Sequence, residues 1–172
     1  IGKIKLIDDD FVSISNLHRQ PLYSFEDINK KKILAAKSKL KALNPEVTIE
    51  TDDVFLNDKN GEELLLKTDV IIDATDNVKS RQRIDKISKK LKIPTVYGAL
   101  FRFEGQVSIL NVNGSAGYNE LFPNLNNNGE DSCADAGMLS MLPAIIGNIQ
   151  ALEAIKLIVG INKNLIGKLL MY

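Results

Sequence analysis

Short continuous apolar runs alternate along this chain with stretches in which apolar residues recur at helical spacing. This order predicts short strands that are each followed by a helix. Residues 3–8 and 69–73 are apolar runs that end in aspartate, as is typical of buried parallel strands whose carboxyl ends meet solvent or a ligand. Residues 24–43 carry apolar positions at helical spacing, with Ser24 as the predicted cap and an Asn-Pro stop after the last turn. The alternation continues with strands predicted at 47–50 and 94–97 and helices predicted at 61–67 and 78–91.

This alternation indicates an α/β fold with a mainly parallel sheet. Residues 105–112 alternate over a longer stretch and predict an antiparallel strand at one side of the sheet, and residues 165–172 begin a last strand. Residues 113–138 lose periodicity and predict a long loop over a functional site. Residues 139–159 are apolar on nearly every face, so they form either a core helix or a subunit contact. We expect one compact domain.

The composition argues against several classes of partner. The 22 basic and 22 acidic side chains cancel, so no net field favours nucleic acid or an anionic membrane surface. No apolar run reaches membrane-spanning length. The single cysteine, Cys133, leaves no internal disulfide framework and fits a reducing location, so we expect a cytoplasmic protein with no nucleic-acid or membrane partner.

Candidate chemistry collects where predicted parallel strands end, because ligands of open α/β sheets bind beyond the carboxyl ends of the strands. Asp8 could accept hydrogen bonds from ribose hydroxyls or be a solvated strand end. Arg19 could clamp a polyphosphate. The lysines at 30–32 could add charge at a helix start or form an ordinary solvated turn. Asp76 could hold Mg²⁺ through one carboxylate or cap the helix that follows.

Seven segments of the chain form an ordered set with characteristic spacing. They are IDDD at 7–10, SNLHRQ at 15–20, Lys32, DATDN at 73–77 with Arg81, EGQV at 104–107, SCADAG at 132–137 and QALEAIK at 150–156. In order and in spacing these segments resemble the ThiF/MoeB/HesA family of ubiquitin-activating-enzyme-like adenylyltransferases, and the resemblance covers nearly the whole chain. It implies a Rossmann-like three-layer fold, with a mainly parallel sheet and antiparallel strands at one side.

The resemblance implies an enzyme that uses ATP and Mg²⁺ to adenylylate the C-terminal glycine carboxylate of a ubiquitin-like sulfur-carrier protein, releasing pyrophosphate. The implied partners are a ThiS- or MoaD-like carrier that ends in Gly-Gly and a second copy of the chain in a homodimer. Arg19, Lys32 and Asp76 would act in catalysis. The implied nucleotide contacts are Asp8 with the ribose, Asn16, Arg19 and Lys32 with the phosphates, Asp76 with Mg²⁺, and Gln20, Asn77 and Arg81 as support.

Cys133 is the one candidate for covalent chemistry, and the resemblance implies a covalent link to the carrier or a sulfur relay. Many relatives bind zinc through two Cys-x-x-Cys pairs, whereas residues 117–120 of this chain hold no cysteine. One thiolate cannot build a four-thiolate site, so we expect no structural zinc. Asp85 replaces an asparagine that is frequent in the family, which puts part of the nucleotide contact in doubt.

The glycine-rich phosphate loop of the family is the main departure, because no Gly-x-Gly occurs in the chain. We expect that loop and its strand to lie upstream of Ile1, so that residues 1–172 form a single adenylation domain that is incomplete at both ends. The alternative is a non-catalytic carrier-docking or dimerisation module that has lost the loop. Tyr118, Leu121 and Phe122 could help to grip a carrier tail or could anchor the long loop to the core.

Overall fold

A computed structural model describes residues 1–125 and 139–172 of the chain. Strands and helices follow one another throughout these ranges, so the mixed α/β class predicted from the alternation is confirmed. The chain divides into two compact units, Ile1–Leu56 and Asn57–Tyr172, which we call the first and the second unit. A single adenylation domain over residues 1–172 stays a prediction. No helix within the described ranges combines the length and the apolar character needed to cross a membrane.

The first unit contains two parallel strands and one helix. β1 (Lys3–Ile7) pairs in register with β2 (Thr48–Asp52). The helix α1 (Lys32–Leu43) packs against β2 and turns its buried alanines and an isoleucine inward. The buried apolar side chains of this unit include Val12, Ile33, Ala35, Ala36 and Ile49.

The helix α1 begins at Lys32, so the prediction of one helix from Ser24 to Leu43 was wrong. Ser24 does cap a helix, but it is a single 3-10 turn at Phe25–Asp27. Its backbone N–H and its hydroxyl each donate to Oδ2 of Asp27 at 2.9 Å. Two residues later Asn29 adopts a φ of 66°, a left-handed conformation that cannot continue a right-handed helix. The cap signal was therefore correct, and the helix that it starts is short.

The second unit is built on a mixed sheet with the order β3 (Ile71–Asp73), β4 (Thr95–Phe101), β5 (Glu104–Leu110) and β6 (Leu169–Met171). β3 pairs with β4 in parallel, and the two remaining pairs are antiparallel, so the predicted antiparallel side is confirmed. β4 extends four residues beyond the strand predicted at 94–97. The helices of this unit are α2 (Gly61–Leu65), α3 (Val78–Leu91), α4 (Tyr118–Leu121) and α5 (Leu142–Ile158).

Helices cover both faces of this sheet because side chains of β4 alternate between two cores. Val96 packs with Val107 and Leu142 on the face that carries α5. Tyr97 packs with Leu110 and Tyr118 on the opposite face, with Val78 of α3 nearby. The core-helix alternative for residues 139–159 is therefore confirmed, and a subunit contact through the exposed side of α5 stays a prediction.

The segment predicted as one long loop contains ordered structure at its start. α4 places Tyr118 and Phe122 against Tyr97, with ring centroids 5.4 and 5.8 Å from that ring. Tyr118 is almost fully buried. The alternative in which these rings anchor the segment to the core is therefore favoured over a grip on a carrier tail. The remainder of the predicted loop, residues 126–138, lies outside the described residues.

Asp85 of α3 is the polar anchor of the same segment. Its side chain is buried, and Oδ1 accepts hydrogen bonds from Asn111 Nδ2 at 2.9 Å and from the Tyr118 N–H at 2.7 Å. Oδ2 accepts from the backbone N–H of Asn119 at 3.2 Å and from its Nδ2 at 2.7 Å. An amide has only one acceptor oxygen, whereas this position uses two. The aspartate therefore has a structural explanation at a site where the resemblance had suggested an altered nucleotide contact.

We expect Asp85→Ala to lower the free energy of unfolding by about 3 kcal/mol, because the buried Tyr118 N–H and the donors of Asn111 and Asn119 lose a charged acceptor. Urea denaturation followed by circular dichroism measures the change. Lys86→Ala removes the exposed neighbour on α3 and should stay within about 0.5 kcal/mol of the unsubstituted protein. Equal urea midpoints for the two variants would contradict the anchoring role of Asp85.

Candidate functional site

In the first unit, two of the predicted site residues belong to one charged group at the carboxyl end of β1. Asp8 is partly buried, and its Oδ1 accepts a hydrogen bond from the Asp10 N–H at 2.7 Å. The Lys32 ammonium lies 2.8 Å from Oδ2 of Asp10, and the Lys32 side chain is only 13% exposed. Lys32 is also the first residue of α1, and its backbone N–H donates to the Asp10 carbonyl at 2.9 Å. The structure thus brings Asp8 and Lys32 together through Asp10.

Burial dominates the ionisation of Asp8. It raises the pKa of Asp8 more than the Asp10 amide and the Lys32 charge lower it. Burial also raises the pKa of Tyr23 to about 12, with smaller contributions from the charges of Asp8 and Asp27. The neutral Tyr23 hydroxyl donates to the Lys32 carbonyl at 3.4 Å. Sequence reasoning missed Tyr23, since a single tyrosine in an irregular segment carries no local signal.

Three further predicted residues, Asn16, Arg19 and Gln20, lie at the end of the 3-10 helix Ile14–Asn16 and on the turn that follows it. The buried Asn16 accepts from the Ser13 N–H through Oδ1 at 3.1 Å, and its carbonyl accepts from the Arg19 and Gln20 N–H groups at 3.0 and 2.9 Å. Because phosphate oxygens accept hydrogen bonds, a phosphate contact from Asn16 would come from its Nδ2 donor. The asparagine therefore shapes the turn on which the other two side chains lie.

Arg19 and Gln20 both offer polar atoms to a ligand. Arg19 Nη1 donates to the Ser15 carbonyl at 2.6 Å, which uses one of the five guanidinium N–H donors. Oε1 of Gln20 is buried and has no hydrogen-bond partner within the described part of the chain. A buried acceptor without a partner costs about 1–3 kcal/mol. This orphaned atom fits a ligand that brings a hydrogen-bond donor, such as a hydroxyl or an amino group.

In the second unit, the predicted residues lie on the loop at 73–77, which leaves the carboxyl end of β3. Asp73 is 3% exposed, and its Oδ1 accepts from the Thr75 N–H at 2.9 Å and from the Thr75 hydroxyl at 2.7 Å. Burial raises the pKa of Asp73, and the Thr75 bonds and the Arg81 charge oppose the rise. The Asp-Ala-Thr order is a sequence signal for this turn. Asp73 was not among the predicted ligand contacts, and its side chain shapes the loop.

The two alternatives for Asp76 are separated by the cap of α3. Asn77 is the cap residue, and its Oδ1 accepts from the Ser80 N–H at 2.9 Å. Asp76 is exposed, and its Oδ1 accepts from Asn77 Nδ2 at 3.3 Å. The prediction that Asp76 could be the helix cap was therefore wrong. An exposed carboxylate at a strand end fits the usual way in which Mg²⁺ takes one or two protein carboxylates together with phosphate oxygens.

Arg81 holds the loop from the first turn of α3. Its Nη2 donates to the Thr75 carbonyl at 2.9 Å, and its Cζ lies 5.7 Å from the centroid of the Tyr97 ring. Nε of Arg81 is buried and has no hydrogen-bond partner among the residues that the structure describes. Arg81 thus joins Asp76 and Asn77 in one local group, as a support for the loop.

The described ranges hold one set of three acidic side chains close enough to share an ion, Asp8, Asp9 and Asp10, whose carboxylates lie within 4.8 Å of one another. Asp9 and Asp10 are exposed, and exposed acidic groups are common without an ion, so we assign no metal to this set. Cys133, the predicted covalent residue, lies outside the described residues.

Comparison with known proteins gives a consistent result. The ThiF family profile matches residues 1–172. The chain is 43% identical over 174 residues to the "Probable molybdopterin-synthase adenylyltransferase" of Porphyra purpurea, of which it covers 46%. It is 40% identical over 178 residues to the "Sulfur carrier protein adenylyltransferase" of Thermus thermophilus, of which it covers 66%. Both matches cover 100% of this chain, so the chain spans about half to two thirds of these relatives.

A crystal structure of E. coli MccB with ATP shares the fold. The match covers 98% of this chain and 51% of the MccB chain, with a TM-score of 0.77 and 20% sequence identity. At that identity the similarity shows the fold alone.

We expect Asp8→Asn to stabilise the protein near neutral pH, because burial disfavours the ionised carboxylate. For an acid with a raised folded-state pKa, ionisation opposes folding at high pH, and this opposition disappears below the unfolded value of 3.8. The stability advantage of the variant should therefore shrink as the pH falls from 7 to 3. Urea unfolding at a series of pH values measures it. Asp9→Asn at the exposed neighbour is the control, and an equal pH-dependent gain in the control would contradict the role of burial.

Proposed function

The chain belongs to the ThiF family, and from this premise we propose that its protein uses ATP to adenylylate the C-terminal glycine carboxylate of a ubiquitin-like sulfur-carrier protein. The carrier ends in Gly-Gly, and pyrophosphate is released. The names of the two relatives, "Probable molybdopterin-synthase adenylyltransferase" and "Sulfur carrier protein adenylyltransferase", support this proposal. The structural observation that carries it is the exposed Asp76 carboxylate beyond β3, on a loop held by Asp73 and Arg81.

The proposed reaction needs no nucleophile from the protein. A carboxylate oxygen of the carrier attacks the α-phosphorus of ATP and forms a new P–O bond. The bond between the α-phosphorus and the oxygen that bridges to the β-phosphorus breaks, and its electron pair leaves with pyrophosphate. The protein contributes orientation and neutralisation of the developing negative charge, which are the main sources of rate in phosphoryl and nucleotidyl transfer.

In the first unit, Arg19 and Lys32 supply the positive charge for the phosphates in this proposal. Arg19 retains guanidinium donors beyond the one that bonds to Ser15, and these can contact phosphate oxygens in a bidentate manner. Lys32 is a point charge whose pairing with Asp10 fixes its position at the start of α1. The Nδ2 group of Asn16 adds a donor for the phosphate oxygens. The acceptor Oε1 of Gln20 would instead bind a hydroxyl or amino group of the nucleotide.

Asp8 is the proposed contact for the ribose hydroxyls. Its position at the end of a parallel strand is the one from which an acidic residue accepts ribose hydrogen bonds in dinucleotide-binding folds. Oδ1 already accepts from the Asp10 N–H, and a carboxylate can accept several hydrogen bonds. Hydroxyl donors would also favour the ionised form of Asp8, which burial opposes.

In the second unit, Asp76 is the proposed Mg²⁺ ligand, with Asn77 and Arg81 as its support. Mg²⁺ bound there would neutralise phosphate charge during the transfer. Asn77 fixes the start of α3 immediately after Asp76, and Arg81 holds the Thr75 carbonyl immediately before it. The Asp76 carboxylate therefore lies between Thr75 and Asn77, and hydrogen bonds set the positions of both.

The rest of the proposed biochemistry concerns Cys133 and the assembly. We propose that Cys133 forms a covalent link to the carrier or relays sulfur, in a reducing, cytoplasmic location that fits a single cysteine. We also propose a homodimer that uses the exposed side of α5, where Leu152 and Ile155 are 51% and 43% exposed.

Exchange of labelled pyrophosphate into ATP tests the adenylylation directly. We expect exchange by the purified protein only when Mg²⁺ and a carrier with an intact C-terminal Gly-Gly are both present. A carrier without its last glycine is the control. Exchange without any carrier would point to a different acceptor, and failure to bind Mg-ATP in calorimetry would favour the docking-module alternative.

We expect Arg19→Ala to lower the carrier-dependent exchange rate by about 10²-fold or more, because a preorganised cation is lost from the developing charge. Lys41→Ala is the matched control, since it removes one positive charge from an exposed position in the last turn of α1. Its rate should stay within about twofold of the unsubstituted protein. Equal rates for the two variants would remove Arg19 from the proposed phosphate contacts.

A further inference from the structure

Gln150 joins the two parallel strands of the second unit from inside the core. Its side chain is 5% exposed and lies on α5. Nε2 donates to the Asp73 carbonyl at 2.8 Å and to the Val96 carbonyl at 3.1 Å. Asp73 is the last residue of β3, and Val96 lies on the neighbouring strand β4. One side-chain amide thus bonds to the backbone of both strands where the loop at 73–77 begins.

The space for this amide is provided by a glycine. A Cβ atom added at Gly98 of β4 would come within 2.4 Å of Cδ of Gln150. Such an approach is far below the distance of any real carbon contact, so an alanine at 98 would displace the amide. The close packing against Gly98 therefore fixes where the two N–H groups of Gln150 point.

The hydrogen bonds that hold the loop at 73–77 form a chain that begins at Asp73. The Asp73 side chain accepts two hydrogen bonds from Thr75, and the Thr75 carbonyl accepts one from Arg81. Asp76 follows Thr75 directly and is exposed. A shift of the Asp73 backbone would therefore move the frame that presents the Asp76 carboxylate.

We propose that Gln150 is a positioning residue for the loop at 73–77, and that it sets the place of the Asp76 carboxylate by fixing the end of β3 to β4. Its part in catalysis rests on the function proposed above, in which Asp76 holds Mg²⁺. Gln150 touches neither nucleotide nor carrier in this scheme and acts through the Asp73 carbonyl.

The chemistry of the side chain explains why glutamine suits this position. Two carbonyl acceptors require two N–H donors at one atom, and an amide nitrogen carries both. Methionine has nearly the same length but no donor. An ionised glutamate would place a charge against two carbonyl oxygens, whereas a protonated glutamate would restore one donor.

Gln150→Met is the test variant, and Glu153→Met is its matched control. Both replace a buried polar side chain of α5 with the same residue. Glu153 bonds elsewhere: Oε2 accepts from the Leu165 N–H at 2.8 Å, and Oε1 pairs with Lys156 at 2.5 Å. The control therefore carries a comparable loss of buried hydrogen bonds without touching the end of β3.

Amide hydrogen exchange tests the positioning itself and needs no activity. In Gln150→Met, we expect the Thr75 and Ser80 amides to exchange about tenfold faster or more, while the Leu165 amide is unchanged. In Glu153→Met, the expected pattern is the reverse. Equal acceleration at all three amides in both variants would show general loosening and would overturn the proposal. If Gln150→Met does not fold, Gln150→Glu replaces it as the test variant. The ratio of the Thr75 exchange rate in this variant to that in the unsubstituted protein should then be larger at pH 7.5 than at pH 5.5.

Carrier-dependent pyrophosphate exchange tests the catalytic part. We expect Gln150→Met to lower kcat by roughly 10- to 100-fold, since small misplacements of a catalytic group have effects of that size. In the same variant the half-saturating Mg²⁺ concentration should rise, and the KM for the carrier should stay within about twofold of that of the unsubstituted protein. The control Glu153→Met should change neither kcat nor the Mg²⁺ dependence by more than about threefold. An unchanged kcat and Mg²⁺ dependence in Gln150→Met would overturn this part. If the unsubstituted protein shows no exchange, the proposed function fails, and the amide data alone decide the positioning role.

Discussion

Hydrogen bonds from Gln150 to two strand carbonyls are the interaction on which the candidate-site loop at 73–77 of the second unit depends. The apolar packing of α5 on the sheet has no direction of its own, because burial of apolar area favours any close contact. The amide adds direction, since its two bonds are satisfied at one position of the helix relative to the Asp73 and Val96 carbonyls. An unmade bond in this dry environment would cost more than the made bond contributes. The end of β3, and with it the loop at 73–77, therefore has a defined place.

The fold was predictable from the sequence where local signals at both ends of an element agree. The bounds of α3 were predicted to the residue, because two good cap residues, Asp76 and Asn77, precede Val78 and because Pro94, which starts the next predicted strand, follows the helix closely. The start of α1 was not predictable in this way. Ser24 and its acidic neighbours are a true helix start, but a cap signal contains no information on helix length. The extended ψ of Ile28, followed by the left-handed Asn29, ends the helix after one turn.

The positions of the candidate residues were predictable where a residue follows the end of a strand. Asp8 and Asp76 were placed beyond strand ends because apolar runs mark the strands that precede them. The choice between Asp76 and Asn77 as the cap of α3 could not be made from residue type, since both are good caps. Gln150 was missed as an isolated residue because its partner Asp73 lies 77 positions away in the chain. The structural role of Asp85 was missed for the same reason, as its partner Asn119 is 34 positions away and no periodic pattern connects them.

Position 98 and position 150 limit each other's evolution. A side chain at 98 needs the space that the Gln150 amide fills, and a shorter residue at 150 would leave a cavity against Gly98. Either substitution alone would be unfavourable, whereas a larger residue at 98 with a smaller one at 150 would restore the packing without the two hydrogen bonds of the amide. The two positions therefore form an epistatic pair for packing, in which a single-site mutational scan would score each substitution as worse than the joint change.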